Sequence, residues 1–254
     1  MTRAAGSAKT GGMQNSRTAH ERIFVALDTL DFGRAEELAR ALGDSVGGVK
    51  LGKEFFTAHG PEGVRGVAGG KPLFLDLKFH DIPNTVAGAV RAAMHMRPVM
   101  LNVHASGGRA MMEAAALAAR EGAEDAGIER PWLLAVTVLT SLDDADLESV
   151  GQRTPASDQV RRLAALTADS GLDGVVCSPR EIAALRRDLG PDFKLVVPGI
   201  RPAWAAGGDQ KRAATPRDAL EAGADVLVIG RPITAADDPA AAARRIAHEM
   251  SAAA

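Results

Sequence analysis

Asp76, Lys78 and Asp81 put two carboxylates and an ammonium within six residues, and such groups can hold or deliver a proton where charge develops in a reaction. The first two close an apolar run, Pro72-Leu73-Phe74-Leu75-Asp76-Leu77-Lys78. Strand side chains alternate faces, so Asp76 and Lys78 share one face while Leu75 and Leu77 take the other. Asp81 falls where the strand gives way to a turn, and Pro83 suits the first position of a helix. Buried charges are costly unless paired. A set of this kind at a strand end is therefore either a reactive site or a structural ion-pair cluster, and the spacing alone leaves both open.

The elements that must position these residues are legible as eight short runs rich in Val, Ile and Leu: Ile23–Asp28, Gly48–Gly52, Pro72–Lys78, Val99–His104, Leu133–Leu139, Gly174–Cys177, Lys194–Val197 and Asp225–Ile229. Amphipathic segments lie between them. After Asp31, a natural helix cap, Phe32, Ala35, Leu38, Ala39 and Leu42 recur at helical spacing, and Gly43 ends the pattern. The final helix starts near Pro239 and carries Ala243, Ile246, Ala247 and Met250 on one face. Eight strand–helix repeats in about 230 residues, with no linker between them, predict a single (β/α)8 TIM barrel rather than an open doubly wound sheet.

Residues 1–20, rich in Ala, Gly, Ser and Thr, read as a disordered tail preceding a catalytic barrel over residues 21–254. Met1 and Met13 are both possible starts. The tail has no apolar core of the kind a secretory signal needs. The chain has 254 residues and is 46% hydrophobic, enough for one large core. Its 30 basic and 32 acidic residues leave a net charge of -2, which argues against a nucleic-acid partner. No apolar run approaches membrane-spanning length, and the single cysteine, Cys177, reads as a small buried apolar residue in a reducing compartment. A soluble, cytoplasmic protein is expected.

In such a barrel the functional groups gather at the carboxyl ends of the strands. Asp28 ends the first strand, Lys50 lies between Val49 and Leu51 in the second, and Asp76 and Lys78 close the third. With Asp81 they make an alternating set of three negative and two positive charges. Taken singly, Asp28 is as readily a helix cap and Lys50 a surface lysine. The fifth strand runs into Thr140. The seventh and eighth, ending at Arg201 and at Gly230-Arg231-Pro232, suit a phosphate site, and the long connection after Gly199 has the length of a lid. His80 and His104 lack tight ligand spacing and sit among lysines that repel a cation, so no metal is expected. Gly107-Gly108 is not followed by a dinucleotide fingerprint.

The segment from Asp76 to Thr85, together with Val136-Thr137-Val138-Leu139-Thr140-Ser141, Pro198-Gly199-Ile200-Arg201-Pro202, Gly208-Asp209-Gln210 and Ile229-Gly230-Arg231-Pro232, resembles the orotidine 5'-phosphate decarboxylases across nearly everything after the tail. The resemblance implies cofactor-independent loss of carbon dioxide from a nucleotide substrate. It implies Lys78 as proton donor, Asp76 beside the reacting carboxylate, and Asp28 and Lys50 at the ribose, with Lys50 and Asp81 in the catalytic charge network. Leu77, Phe79, His80, Pro83 and Asn84 belong to the same substrate-lining segment. Thr140 would lie near the pyrimidine, and Arg201, Gln210, Gly230 and Arg231 around the phosphate. It further implies a homodimer in which Asp81, Ile82 and Thr85 complete the partner's site. Two alternatives are a magnesium-dependent sugar-phosphate decarboxylase or aldolase of the related barrels and a non-catalytic nucleotide-binding barrel. The former carries a metal-binding Glu where this chain has Lys50. The latter gains little from an Asp opposing a ligand carboxylate.

Overall fold

A computed structural model describes residues 17–205 and 214–251. Eight parallel strands, β1 (Ile23–Ala26), β2 (Gly48–Gly52), β3 (Leu73–Phe79), β4 (Met100–His104), β5 (Trp132–Val136), β6 (Gly174–Val176), β7 (Lys194–Pro198) and β8 (Val226–Ile229), close in sequence order. The ring of helices is α1 (Phe32–Leu42), α2 (Lys53–Ala68), α3 (Pro83–Ala93), α4 (Arg109–Asp125), α5 (Asp144–Ser149), α6 (Ala156–Asp169), α7 (Ile182–Leu189), α8 (Pro216–Glu221), α9 (Arg231–Thr234) and α10 (Pro239–Ser251). Here α5 and α9 are extra helices in the connections after β5 and β8, and the other eight each follow one strand. The TIM barrel expected from the repeats is the architecture found. No helix among the described residues is long and apolar enough to cross a membrane.

Alternation along the strands divides the apolar residues into two cores. Val25, Val49, Leu51, Leu75, Leu77, Leu101 and Val103 point outward and pack with the buried helix faces. Phe24, Phe74, Met100, Leu134, Val196 and Val226 point inward and fill the barrel itself. Large side chains thus plug the interior, as the layered packing of these barrels requires. The predicted caps hold locally: Asp31 Oδ1 accepts the Arg34 N–H at 3.0 Å, and Gly43, at φ 48°, ends α1. Pro83 occupies the first position of α3.

Most strand ends fall within one residue of the sequence reading, and three boundaries differ by more. β1 ends at Ala26 and β5 at Val136, so Asp28 and Thr140 stand beyond the ladders. Both runs stay apolar after strand pairing has stopped, which a pattern of residue types does not register. The assigned tail is also shorter at its inner edge. Arg17 lies with its guanidinium 4.4 Å from the Trp132 ring centroid, and His20 begins a short 3-10 turn, so residues 17–20 pack against the barrel. The rest of the expected tail, residues 1–16, lies outside the described residues.

Candidate active site

β2 brings Lys50 into the barrel because Val49 and Leu51 on either side face the outer core. Its side chain is 8% exposed and its Nζ lies 2.5 Å from Asp28 Oδ1 and 3.8 Å from Asp76 Oδ2. Gly52 keeps that space open: a Cβ there would come within 3.3 Å of the Lys50 ammonium. Across the ladder, Lys78 Nζ lies 2.6 Å from Asp76 Oδ1. Asp28, Lys50, Asp76 and Lys78 therefore form one alternating, charge-balanced chain. Burial alone would raise the Asp76 carboxyl, but the Lys78 and Lys50 ammoniums and hydrogen bonds from Lys78 and Asn102 outweigh it and hold the group below its usual range. Asp76 is thus ionised at neutral pH, a fixed negative charge between two positive ones.

The end of β3 departs from a regular strand. Leu75 pairs with Leu101 and Phe79 with Val103 of β4, so Asp76, Leu77 and Lys78 together face the single residue Asn102. Lys78 accommodates this bulge at φ 53°, a left-handed conformation uncommon for a side chain of its size. Its N–H donates to Asn102 Oδ1 at 2.8 Å, and Asn102 Nδ2 donates to Asp76 Oδ1 at 2.7 Å. Sequence reading missed Asn102. The available signal was positional: it stands between Met100 and His104 on the inward face of β4, where an apolar residue would suit a core.

Of the remaining expected residues, Leu77 and Phe79 pack with the outer core rather than facing the charged chain, which corrects their assignment to the substrate lining. Gly230 and Arg231, at the start of α9, line a recess of about 220 Å³ with Asp28 and Arg34, so the end of β8 meets the end of β1. Among the described residues neither Arg201 nor Arg231 has an ion-pair partner. Thr140 is exposed and lines a cleft of about 880 Å³ over the ends of β5, β6 and β7 with Asp143, Ser178, Arg180, Glu181 and Gly199. This cleft lies at the same carboxyl rim and contains none of the four members of the charged chain. Burial raises the Glu181 carboxyl there.

Asp81, Ile82, Pro83, Asn84 and Thr85 lie exposed on the turn into α3. Asp81 accepts the Ile82 N–H at 2.7 Å and forms no ion pair among the described residues, so it does not join the charged chain. Gln210 lies outside the described residues. His80 and His104 approach with ring centroids 5.5 Å apart, and burial lowers His104 to about 4, reinforced by His80, Lys53 and Lys78. No group of three or more His, Cys, Asp or Glu residues suited to a metal ion occurs among the described residues.

Residues 21–246 match the model of the orotidine 5'-phosphate decarboxylase / HUMPS family. The chain is 60% identical over 240 residues to the orotidine 5'-phosphate decarboxylase of Rhodospirillum rubrum, covering 94% of this chain and 97% of that one. Identity to the enzyme of that name from Paramagnetospirillum magneticum is 57%, over 90% of this chain and 97% of the relative. The crystal structure of orotidine 5'-phosphate decarboxylase from Lactobacillus acidophilus superposes with a TM-score of 0.81 at 40% identity, over 91% of this chain and 99% of that one. With the closed barrel and the charged chain on its carboxyl rim, these likenesses place the protein: it belongs to the orotidine 5'-phosphate decarboxylase / HUMPS family.

Proposed function

We propose that this protein decarboxylates orotidine 5'-phosphate to uridine 5'-phosphate and carbon dioxide, the final step of uridine 5'-phosphate biosynthesis. The observation that carries the reading is the Lys78 ammonium, fixed 2.6 Å from Asp76 in a site where Lys50 supplies the second positive charge. Breaking the bond from C6 to the carboxylate leaves the electron pair on C6, where no neighbouring carbonyl can delocalise it. A preorganised ammonium stabilises that charge directly. Lys78 then transfers a proton to C6 and is reprotonated from solvent, which completes the exchange of carbon dioxide for hydrogen.

Asp76 serves this step twice. It holds Lys78 charged and in place, and it repels the substrate carboxylate, by about 4 kcal/mol for two unit charges 4 Å apart at an effective dielectric of 20. Asp28 and Lys50 bind the ribose, and Thr140 lies at the pyrimidine. Arg201, Gln210, Gly230 and Arg231 receive the phosphate, and the guanidiniums of Arg201 and Arg231, without an ion-pair partner among the described residues, support that assignment. Of the rest of the segment, His80, Pro83 and Asn84 line the substrate, whereas Leu77 and Phe79 pack with the outer core. Phosphate binding is remote from C6, yet its energy can press the ring against the charged chain.

The working unit is a homodimer in the cytoplasm. Ile82, 67% exposed beside an Asp81 that forms no ion pair among the described residues, supports the reading that Asp81, Ile82 and Thr85 complete the partner's site. The test is to follow loss of the orotidine 5'-phosphate absorbance with purified protein in excess chelator, alongside its mass in solution. Turnover without added cofactor by a particle of two chains is expected. Tight binding of uridine 5'-phosphate without turnover, or activity restored only by magnesium, would sink the reading.

A further inference from the structure

We propose that Asn102 is a positioning residue of this site, setting both ends of the Asp76–Lys78 pair through one side-chain amide. The inference rests on the decarboxylase reading and adds a residue to it. Asn102 is fully buried, and both halves of its amide are spent on that pair: Oδ1 accepts the backbone N–H of Lys78 at 2.8 Å, and Nδ2 donates to Asp76 Oδ1 at 2.7 Å. Asp76 Oδ1 is the same oxygen that receives Lys78 Nζ. One amide therefore holds the backbone from which the ammonium hangs and the carboxylate against which it rests.

The bulge explains why an amide is required. Three residues of β3 face one residue of β4, so the regular ladder cannot offer Lys78 N–H an acceptor, and a buried N–H needs one. Asn102 supplies it from its side chain and stabilises the left-handed turn at Lys78, φ 53°. A leucine would have neither group and an aspartate would lack the donor. Packing alone does not call for this residue. The inward residues Phe74, Met100 and Leu134 of the same three neighbouring strands are apolar.

Asn102→Ala is expected to lower kcat by about 100-fold, the cost of roughly 1 Å of misplacement in a preorganised site. Affinity for uridine 5'-phosphate, which lacks the reacting carboxylate, and KM should stay within about threefold of the parent. Asn102→Asp preserves volume and the acceptor for Lys78, and turns a charged oxygen toward Asp76. Once protonated, its new carboxyl group regains the donor, so its activity relative to the parent should rise as pH falls. Asp76, Lys78, Lys50 and His104 are the charged or titratable groups around that carboxyl. Both variants are compared with the parent for kcat, KM, uridine 5'-phosphate affinity and thermal unfolding. The role of Asn102 is overturned if the folded Ala variant keeps the parental kcat, if product affinity falls as far as kcat, or if the Asp variant gains nothing at low pH. A parent that fails to turn over orotidine 5'-phosphate would instead overturn the functional reading.

Discussion

At the amino-terminal ends of β6 and β8, Asp173 and Asp225 hold arginines; at the carboxyl ends of β1 and β3, Asp28 and Asp76 hold lysines. Asp225 accepts Arg186 Nη2 at 2.7 Å and the Leu195 N–H at 2.8 Å. The Arg186 guanidinium spends its other donors on the carbonyls of Gly190, Phe193 and Gly223. Asp173 takes a two-pronged contact from Arg130 and the Leu133 N–H. These pairs pin neighbouring strands, and the planar fork of arginine suits that task. On the other rim the cations are lysines, compact charges with three donors each, and one hangs from a strained backbone. Similar ion-pair chemistry closes the barrel at one end and supplies a reactive charge at the other, and the difference lies in what remains available after pairing.

The largest effect that tests this contrast is Lys78→Ala. General acid catalysis and electrostatic stabilisation combine to an expected loss of about 10⁵-fold in kcat, with thermal unfolding little changed. A folded variant that keeps even a hundredth of the parental rate would break the assignment of the reactive rim. Next comes Asp225→Ala, which removes the counter-charge of the partly buried Arg186 guanidinium at the opposite end and should cost about 3 kcal/mol of stability in denaturant unfolding. Its kcat per folded molecule should match the parent. Unaltered stability with a collapsed kcat would show that the two ends are not separable.

The smallest effect concerns His104, lowered to about 4 chiefly by burial. A histidine kept neutral in the fold stabilises it above the unfolded value near 6.5, and that contribution is lost as pH falls toward 4. His104→Gln should flatten the loss of stability in this window when unfolding free energy is measured against pH. Glu181, raised by burial, acts in the opposite sense, and Asp76, held below its usual range by Lys78 and Lys50 against the effect of burial, acts only at lower pH. The difference between variant and parent therefore isolates the histidine. An unchanged slope would remove His104 from the account.

Much of this was legible in the chain. The strand centres follow from apolar runs at regular spacing, and the start of α1 from Asp31 followed by a helical pattern. Asp28, Lys50, Asp76 and Lys78 stand out because each is charged where its strand is otherwise apolar. The bulge was not legible. Leu73 to Phe79 reads as uninterrupted alternation, and nothing in it says that β4 advances two residues while β3 advances four. Asn102 was missed for the same reason, since its role exists only where two strands separated by a helix fall out of register. The two-sided pairing of Asp225 was equally hidden, because Arg186 reaches it from α7 across 39 positions.

The amino-acid sequence by itself determined the repeat of strand and helix, the inward or outward sense of each residue, and the types of charge carried at each strand end. Those are local properties, set by side-chain alternation and by the cost of burying unpaired polar groups. Only the closed barrel decided that Lys50 lies between Asp28 and Asp76, that Asn102 bridges Asp76 and the Lys78 backbone, and that Asp81 stays outside the charged chain. Distances between strands, and the register at which they meet, are fixed when the ring closes and its core packs. The balance of attraction and desolvation that turns four charged residues into one network depends on those distances.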